Sequence, residues 1–259
     1  MICRDGGIRV IRGIYTSGAG MLLGSRRLEV LSHNVSNAET VGYRGDDSLF
    51  LSAPQHSLSR VASAERQPVG VLGMGTLLQE TYTSQEQGEL ESTGKPLDMS
   101  LVGPGFFRVL LDDGEEAYTR AGAFKRDPDG FLVTVDGHPV LSEAGDRVMV
   151  PDGPVTVTTD GTVMVEGEAV DSLALVEFEN PAALEKERDV FFLATDLSGA
   201  PQAAQETSVY QGYVERSNVD VLDHTLKLMM AARSYEASQR ALKAQDDTLA
   251  MAVREVGRV

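Results

Sequence analysis

The sequence predicts an α+β protein, in which N- and C-terminal helices pair as a coiled-coil-like helical domain and a central antiparallel β domain lies between them. Three observations predict it. Apolar residues recur at helical spacing at both ends, Asp-Gly turns crowd the middle, and charge divides in step with both. Residues 1–44 carry a balance of +3, residues 45–211 of -19 and residues 212–259 of 0, so the net charge of -16 averages unlike parts. Near-neutral ends can pack against other chains with little like-charge repulsion, while the anionic centre reads as solvated.

The first helix begins near Arg12. Ile14, Ser17, Met21, Gly24, Leu28, Leu31, Val35 and Ala38 alternate spacings of three and four, and all are apolar or small, as a helical seam requires. Nothing in Met1–Arg9 joins this pattern. Val10 is a residue that a GTG start codon encodes, so the expectation is a native chain that begins there, with residues 1–9 untranslated. Gly18, Gly20 and Gly24 each cost about 1 kcal/mol relative to Ala in a helix interior, which fits a helix whose missing side chains admit a close neighbour.

Residues 45–95, rich in Ser, Gln and Gly with Pro54 and Pro68, read as an extended linker. Asp-Gly pairs follow at 113–114, 129–130, 136–137, 152–153 and 160–161, with Glu-Gly at 166–167, each a hairpin signal. Between them Phe106–Leu111, Phe131–Val135, Val155–Thr158 and Leu173–Phe178 are short β-branched and aromatic runs. They predict an antiparallel β domain over 96–206. The last helix is marked by Ser217 as a cap with Asp220 three residues on. Its series is Val221, Thr225, Leu228, Ala232, Tyr235, Gln239, Leu242, Asp246, Leu249 and Val253, predicting a helix from Val219 to about Val256. The helical domain therefore comprises 10–44 and 212–259.

Chemistry finds little footing. His33, His56, His138 and His224 lie in no metal-ligand spacing, Ser36 and Ser100 lie in no nucleophile motif, and Cys3 is the only cysteine. Asp127-Pro128-Asp129-Gly130 lacks the later ligands of a calcium loop and reads as a turn. No catalytic residue, cofactor or metal is expected. A pI near 4.6 excludes a nucleic-acid partner of the usual basic kind. No apolar run approaches the roughly 20 residues of a membrane helix, and the N-terminus lacks the pattern of a cleaved signal peptide. A rival reading, a carbohydrate-binding or hydrolytic β domain, requires a carboxylate pair in a deep pocket. Terminal helices of unequal length leave part of the longer one uncovered, and a head-to-tail contact that does not close builds a filament. Physical argument alone ends at a subunit of a helical or tubular assembly.

Specific segments then carry a resemblance. Arg12-Gly13-Ile14-Tyr15-Thr16-Ser17-Gly18-Ala19-Gly20-Met21 and Asn34-Val35-Ser36-Asn37-Ala38-Glu39-Thr40-Val41-Gly42-Tyr43-Arg44 resemble the start of bacterial flagellar rod and hook proteins. Thr93-Gly94-Lys95-Pro96-Leu97-Asp98, Gly103-Pro104-Gly105-Phe106-Phe107 and Tyr118-Thr119-Arg120-Ala121-Gly122-Ala123-Phe124 are similar to the centre of that family. Ser217-Asn218-Val219-Asp220 and Ala232-Arg233-Ser234-Tyr235-Glu236-Ala237 are similar to its end. Ser36, Arg44 and Ala232 stand where the family pattern has Ala, Lys and Gln.

Length and the stretch from Gly42 to Phe50 resemble the proximal rod members most, with the distal rod members next. The resemblance implies a non-enzymatic subunit of the basal-body rod, in the cell envelope and periplasmic space. Its implied partners are itself, other rod and hook subunits and the flagellar type III export apparatus, with no membrane insertion. Assembly is expected through Ile14, Met21, Gly24, Leu28, Leu31, Val35, Val221, Leu228, Tyr235, Leu242 and Leu249. An elbow of Asn34, Asn37, Gly42 and Tyr43 ends the first helix, with the Asn amides as caps and Gly42 in a tight turn. Arg120 and Arg233 are open between ion-pair and solvated roles.

Overall fold

The computed structural model describes residues 6–52, 55–62, 65–73 and 76–256, with side chains described over 13–49 and 81–255. Two long helices, α1 (Gly6–Ser36) and α2 (Val221–Val256), precede and follow in sequence a region of antiparallel strand pairs. The chain divides into two compact units. One holds residues 1–35, 46–82 and 221–259; the other holds 36–45 and 83–220.

In the first unit α1 begins at Gly6, six residues before the expected start at Arg12, so residues 6–9 join the helix. The two glycines that open it sit at the end, where their cost is least. Residues 1–5 lie outside the described residues. The stretch read as an extended linker is strand: Asp46–Ser52 pairs with Thr76–Thr83, and Gln55–Ala62 pairs with Glu65–Gly73. Gln55–Ala62 and Glu65–Gly73 pair through their backbones in antiparallel register, and their Ser and Gln content masked them in the sequence. Its His56 side chain lies outside the described residues. The second helix starts at Val221, two residues after Val219, because Ser217 Oγ accepts from the Val219 N–H at 3.3 Å and closes a local turn first.

The second unit is built on a six-stranded sheet. Its order is Glu185–Lys186, Phe191–Leu193, Glu116–Thr119, Phe106–Leu110, Leu175–Glu177 and Gln202–Ala203. Successive residues of a strand point to opposite faces, so Phe106 and Phe107 serve different cores. Phe107, Val109, Ala117 and Phe191 enter the larger cluster, which also holds Tyr43, Met99, Leu101, Leu132 and Leu173. Phe106, Tyr118, Val176 and Phe192 form the smaller one with Phe178 and Leu184, where Phe106 meets Phe178 edge-to-face at 6.0 Å. Burial on both faces explains why these strands read as near-continuous apolar runs. Six Gly residues of the Asp-Gly and Glu-Gly pairs have positive φ, and Glu166 joins them at 55°, as a primed hairpin turn demands.

Candidate functional site

Two sets of residues stand out, one on each unit. On the helices, a side chain added at three of the α1 glycines would meet α2. A Cβ on Gly13 would stand 2.6 Å from Gln245 Nε2, one on Gly20 would stand 3.4 Å from Ser238 Oγ, and one on Gly24 would stand 3.3 Å from the Tyr235 ring. The contacts run in opposite chain order. Gly18 meets nothing within 4 Å, so the sequence argument applies to Gly20 and Gly24, extends to Gly13, and fails for Gly18. Shielding on α1 follows the expected seam: Ile14, Met21, Gly24, Leu28 and Val35 are partly buried and Leu31 is buried.

On α2 the seam is offset from the expectation. Leu228, Tyr235, Leu242 and Leu249 are partly buried as anticipated, but their companions are Ala231, Ser238 and Gln245. Gln239 and Asp246 are exposed, and the partly buried row runs one residue earlier, through Ser238 and Gln245. Val221 is 46% exposed and Val253 69% exposed. Further apolar side chains face solvent on both helices: Tyr15 at 74%, Leu22 at 67%, Leu222 at 77% and Met230 at 72%.

The elbow is denser. Asn34 is fully buried at the end of α1. Its Nδ2 donates to the Asp46 carbonyl at 2.7 Å and its Oδ1 accepts the Asp46 N–H at 2.9 Å, so one amide mimics a strand neighbour. Asn37 closes the turn: its carbonyl accepts the Thr40 N–H at 3.1 Å and its side-chain oxygen accepts the Thr40 hydroxyl at 3.1 Å. Gly42 has φ of 70°, donates to the Glu215 carbonyl at 2.8 Å, and lies so close to the Ala121 backbone that no Cβ fits. Both conditions select glycine. Tyr43 is fully buried in the larger core, with the Lys186 ammonium 3.9 Å from its ring centroid.

Beside this turn lies a buried ionic group that the sequence reading missed. Arg44 Nη2 meets Glu215 Oε1 at 2.7 Å with both side chains 1% exposed, and Arg120 Nη1 meets Glu215 Oε2 at 3.6 Å. Arg120 also donates to the Gly103 carbonyl at 2.6 Å and lies 4.9 Å over the Phe106 ring. Burial pushes the Arg44 guanidinium below its ordinary range, against the opposing pull of Glu215. Burial first, and then the charge of Arg44, push Arg120 down to about 10. Arg120 thus takes the ion-pair role; Arg233 is exposed on α2.

Asn218 completes the knot. Its Oδ1 accepts the Gly45 N–H at 2.8 Å, and its Nδ2 donates to the carbonyls of Ser84 at 3.2 Å and Glu86 at 3.0 Å. Glu215 Oε1 also accepts the Gly88 N–H at 2.9 Å. Residues 42–45, 84–88, 120–121 and 215–218 are therefore tied to one another within the β-rich unit. Arg44, Arg120 and Asn218 all sit in the segments that carried the resemblance; the partner Glu215, three residues before Asn218, was the readable clue. Elsewhere His33 is exposed and His224 partly buried, while His138 is buried beside Asp112. Asp127 Oδ1 accepts the Asp129 and Phe131 N–H groups at 3.0 and 2.7 Å, so 127–130 is a turn. Among the described residues no group of three or more His, Cys, Asp or Glu side chains is placed to hold a metal.

Nothing in these two sets is arranged for bond making or breaking; both hold chain segments in place. Comparison with known proteins gives them a context. A family described as flagellar hook protein FlgE/F/G D1 domain matches residues 100–165, and one described as flagellar basal body rod FlgEFG protein C-terminal matches residues 210–255. A flagellar basal-body rod protein FlgG of Agrobacterium fabrum is 31% identical over 92% of this chain and 96% of its own length. A rod protein FlgF of Caulobacter vibrioides is 31% identical over 90% and 93%. The flagellar hook-basal body complex protein FlhO of Bacillus subtilis is 29% identical over 96% and 100%.

Proposed function

The chain belongs to the flagellar rod and hook protein family as a structural, non-enzymatic subunit of the basal-body rod, and from that premise we propose that it polymerises through its terminal helices to carry torque. The observation that carries this proposal is the apolar surface left open on those helices. Tyr15 and Leu22 lie seven residues apart on one face of α1, and Leu222, Leu226 and Met229 follow at four and three on α2. Exposed apolar residues in such rows mark a surface meant for another chain. The contacts of Gly13, Gly20 and Gly24 with α2 support an antiparallel coiled-coil-like pair inside each subunit. Gly18, with open space over it, then admits a helix of the next subunit. The assembly set is Ile14, Met21, Gly24, Leu28, Leu31, Val35, Val221, Leu228, Tyr235, Leu242 and Leu249.

Under load, force enters the β-rich unit through residues 36–45, 83–88 and 215–220, where the Asn218 bridges and the Arg44–Glu215–Arg120 group resist separation. The elbow of Asn34, Asn37, Gly42 and Tyr43 belongs to this resistance. Partners are other subunits of the axial structure and the type III export apparatus. No described helix is long and apolar enough to cross a membrane. Within the rod we propose the proximal segment, which the length and the 42–50 stretch resemble; relatives named FlgG and FlgF match at 31% alike. Deleting the gene and imaging basal bodies tests both levels. The expected result is assembly arrested before a complete rod, at its proximal part; arrest at a distal or hook stage moves the position, and complete rods refute the function.

A further inference from the structure

We propose that the outward row Tyr15, Gly18 and Leu22 of α1 docks antiparallel onto Ala244, Ala241 and Ala237 of α2 in a second copy of this chain; it rests on the reading of the chain as a polymerising rod subunit and names the helix faces that meet. Tyr15 and Leu22 are large apolar side chains held in water at 74% and 67% exposure, and Gly18 between them has open space over it. Leu22 lies two residues from both Gly20 and Gly24, the positions where α1 meets α2, which is about half a turn round the helix. The row therefore faces away from α2 of its own chain, and burying it takes another molecule.

The receiving face is a stretch of small residues on α2. Ala237, Ala241 and Ala244 are exposed, each one residue before Ser238, Leu242 and Gln245 of the partly buried row, and so about 100° round the helix from it. Spacing and size select this stretch. Tyr15, Gly18 and Leu22 follow at three and four; in the opposite chain direction Ala244, Ala241 and Ala237 also follow at three and four. Laid antiparallel, Tyr15 comes over Ala244 and Leu22 over Ala237, a large side chain on a small one each time. Gly18 then faces Ala241, and the two backbones approach closely there.

A slide of one heptad in either direction loses the fit. One way sets Leu22 on Met230, the other sets Tyr15 on Met251, and in each case large meets large. In the matched register all six positions are uncharged, so no ion is desolvated. The next position brings Arg233, exposed on α2, opposite the exposed Arg26–Glu29 ion pair, where one carboxylate serves two guanidiniums. The two rows stand on different helices and face different ways, so no chain satisfies itself. Each copy offers both a row and a seat, as a head-to-tail lattice requires.

Size exchange tests it in a motile strain whose own copy is replaced by this full-length chain. Leu22→Ala and Ala237→Leu are both substitutions at exposed positions. Each alone is expected to lower the subunit recovered in basal bodies by about tenfold, and the double exchange is expected to restore it. In a Cys3→Ser background, Leu22→Cys with Ala237→Cys should give disulfide-linked dimers when isolated basal bodies are oxidised. Either single cysteine variant should give none, nor should Leu22→Cys with Ala250→Cys, about 20 Å further along α2. Single size variants recovered at parent level, a double exchange no better than its worse parent, or basal bodies holding the facing cysteines without dimers would each overturn the contact. Dimers from Ala237→Cys alone would set α2 against α2 and overturn it as well. Absence of the unsubstituted chain from basal bodies instead refutes the rod reading on which it rests.

Discussion

A carboxylate buried between two guanidiniums holds only while all three charges are present. Replacing Glu215 with Ala leaves Arg44 and Arg120 buried with no countercharge, so the β-rich unit should lose about 3–5 kcal/mol, read as a fall in its urea midpoint. Arg120→Met behaves differently. It removes the surplus cation and leaves Arg44 and Glu215 as a balanced pair, so the loss at pH 7 should not exceed about 1 kcal/mol. Arg120 is held down to about 10 in the fold, below its value in the unfolded chain. Below pH 10 both states are protonated and the cost of burying the cation is fully present. Above pH 10 the folded chain releases this proton before the unfolded chain does, so this group's contribution to stability rises with pH, and Arg120→Met should lack that rise. Arg44 and Arg120 were each visible in the sequence, but only the fold brings Glu215 between them, across sequence separations that no spacing rule spans.

At the scale of elements, the helices discriminate between glycines. Gly24→Leu places bulk where the Tyr235 ring is already 3.3 Å from the missing Cβ, so it should abolish swimming while the β-rich unit keeps its urea midpoint. Normal swimming would show that the contact is dispensable. Gly18→Ala meets open space, so the isolated protein should gain helix stability of about 1 kcal/mol by circular dichroism. Loss of swimming by that same variant would place a neighbour's helix over Gly18. The α1 seam was legible because apolar and small residues repeat every three or four; the same rule misread α2 by one residue at 239 and 246, where polar side chains took the solvent face. The strands at 46–83 escaped notice for a related reason. Ser and Gln pair in a two-stranded ribbon through backbone alone, with no apolar alternation to announce it.

For the whole molecule, the charge map and the compact units follow one another closely. The anionic middle supplies most of the β-rich unit, whose limits of 36–45 and 83–220 are wider than the expected 96–206 because the elbow and the segments at 84–88 and 215–218 are hydrogen-bonded into it. Sequence spacing reveals periodic faces; it does not reveal which loops a single Asn will bridge. The terminal helices, by contrast, leave Tyr15, Leu22, Leu222 and Met230 in water, a cost that association removes. Amide hydrogen exchange over residues 14–35 and 221–255, compared between the purified monomer and isolated basal bodies, tests this most directly. The account predicts protection of both helices that rises steeply on assembly while residues 99–215 stay equally protected in each; helices as protected in a verified monomer as in the basal body would contradict it.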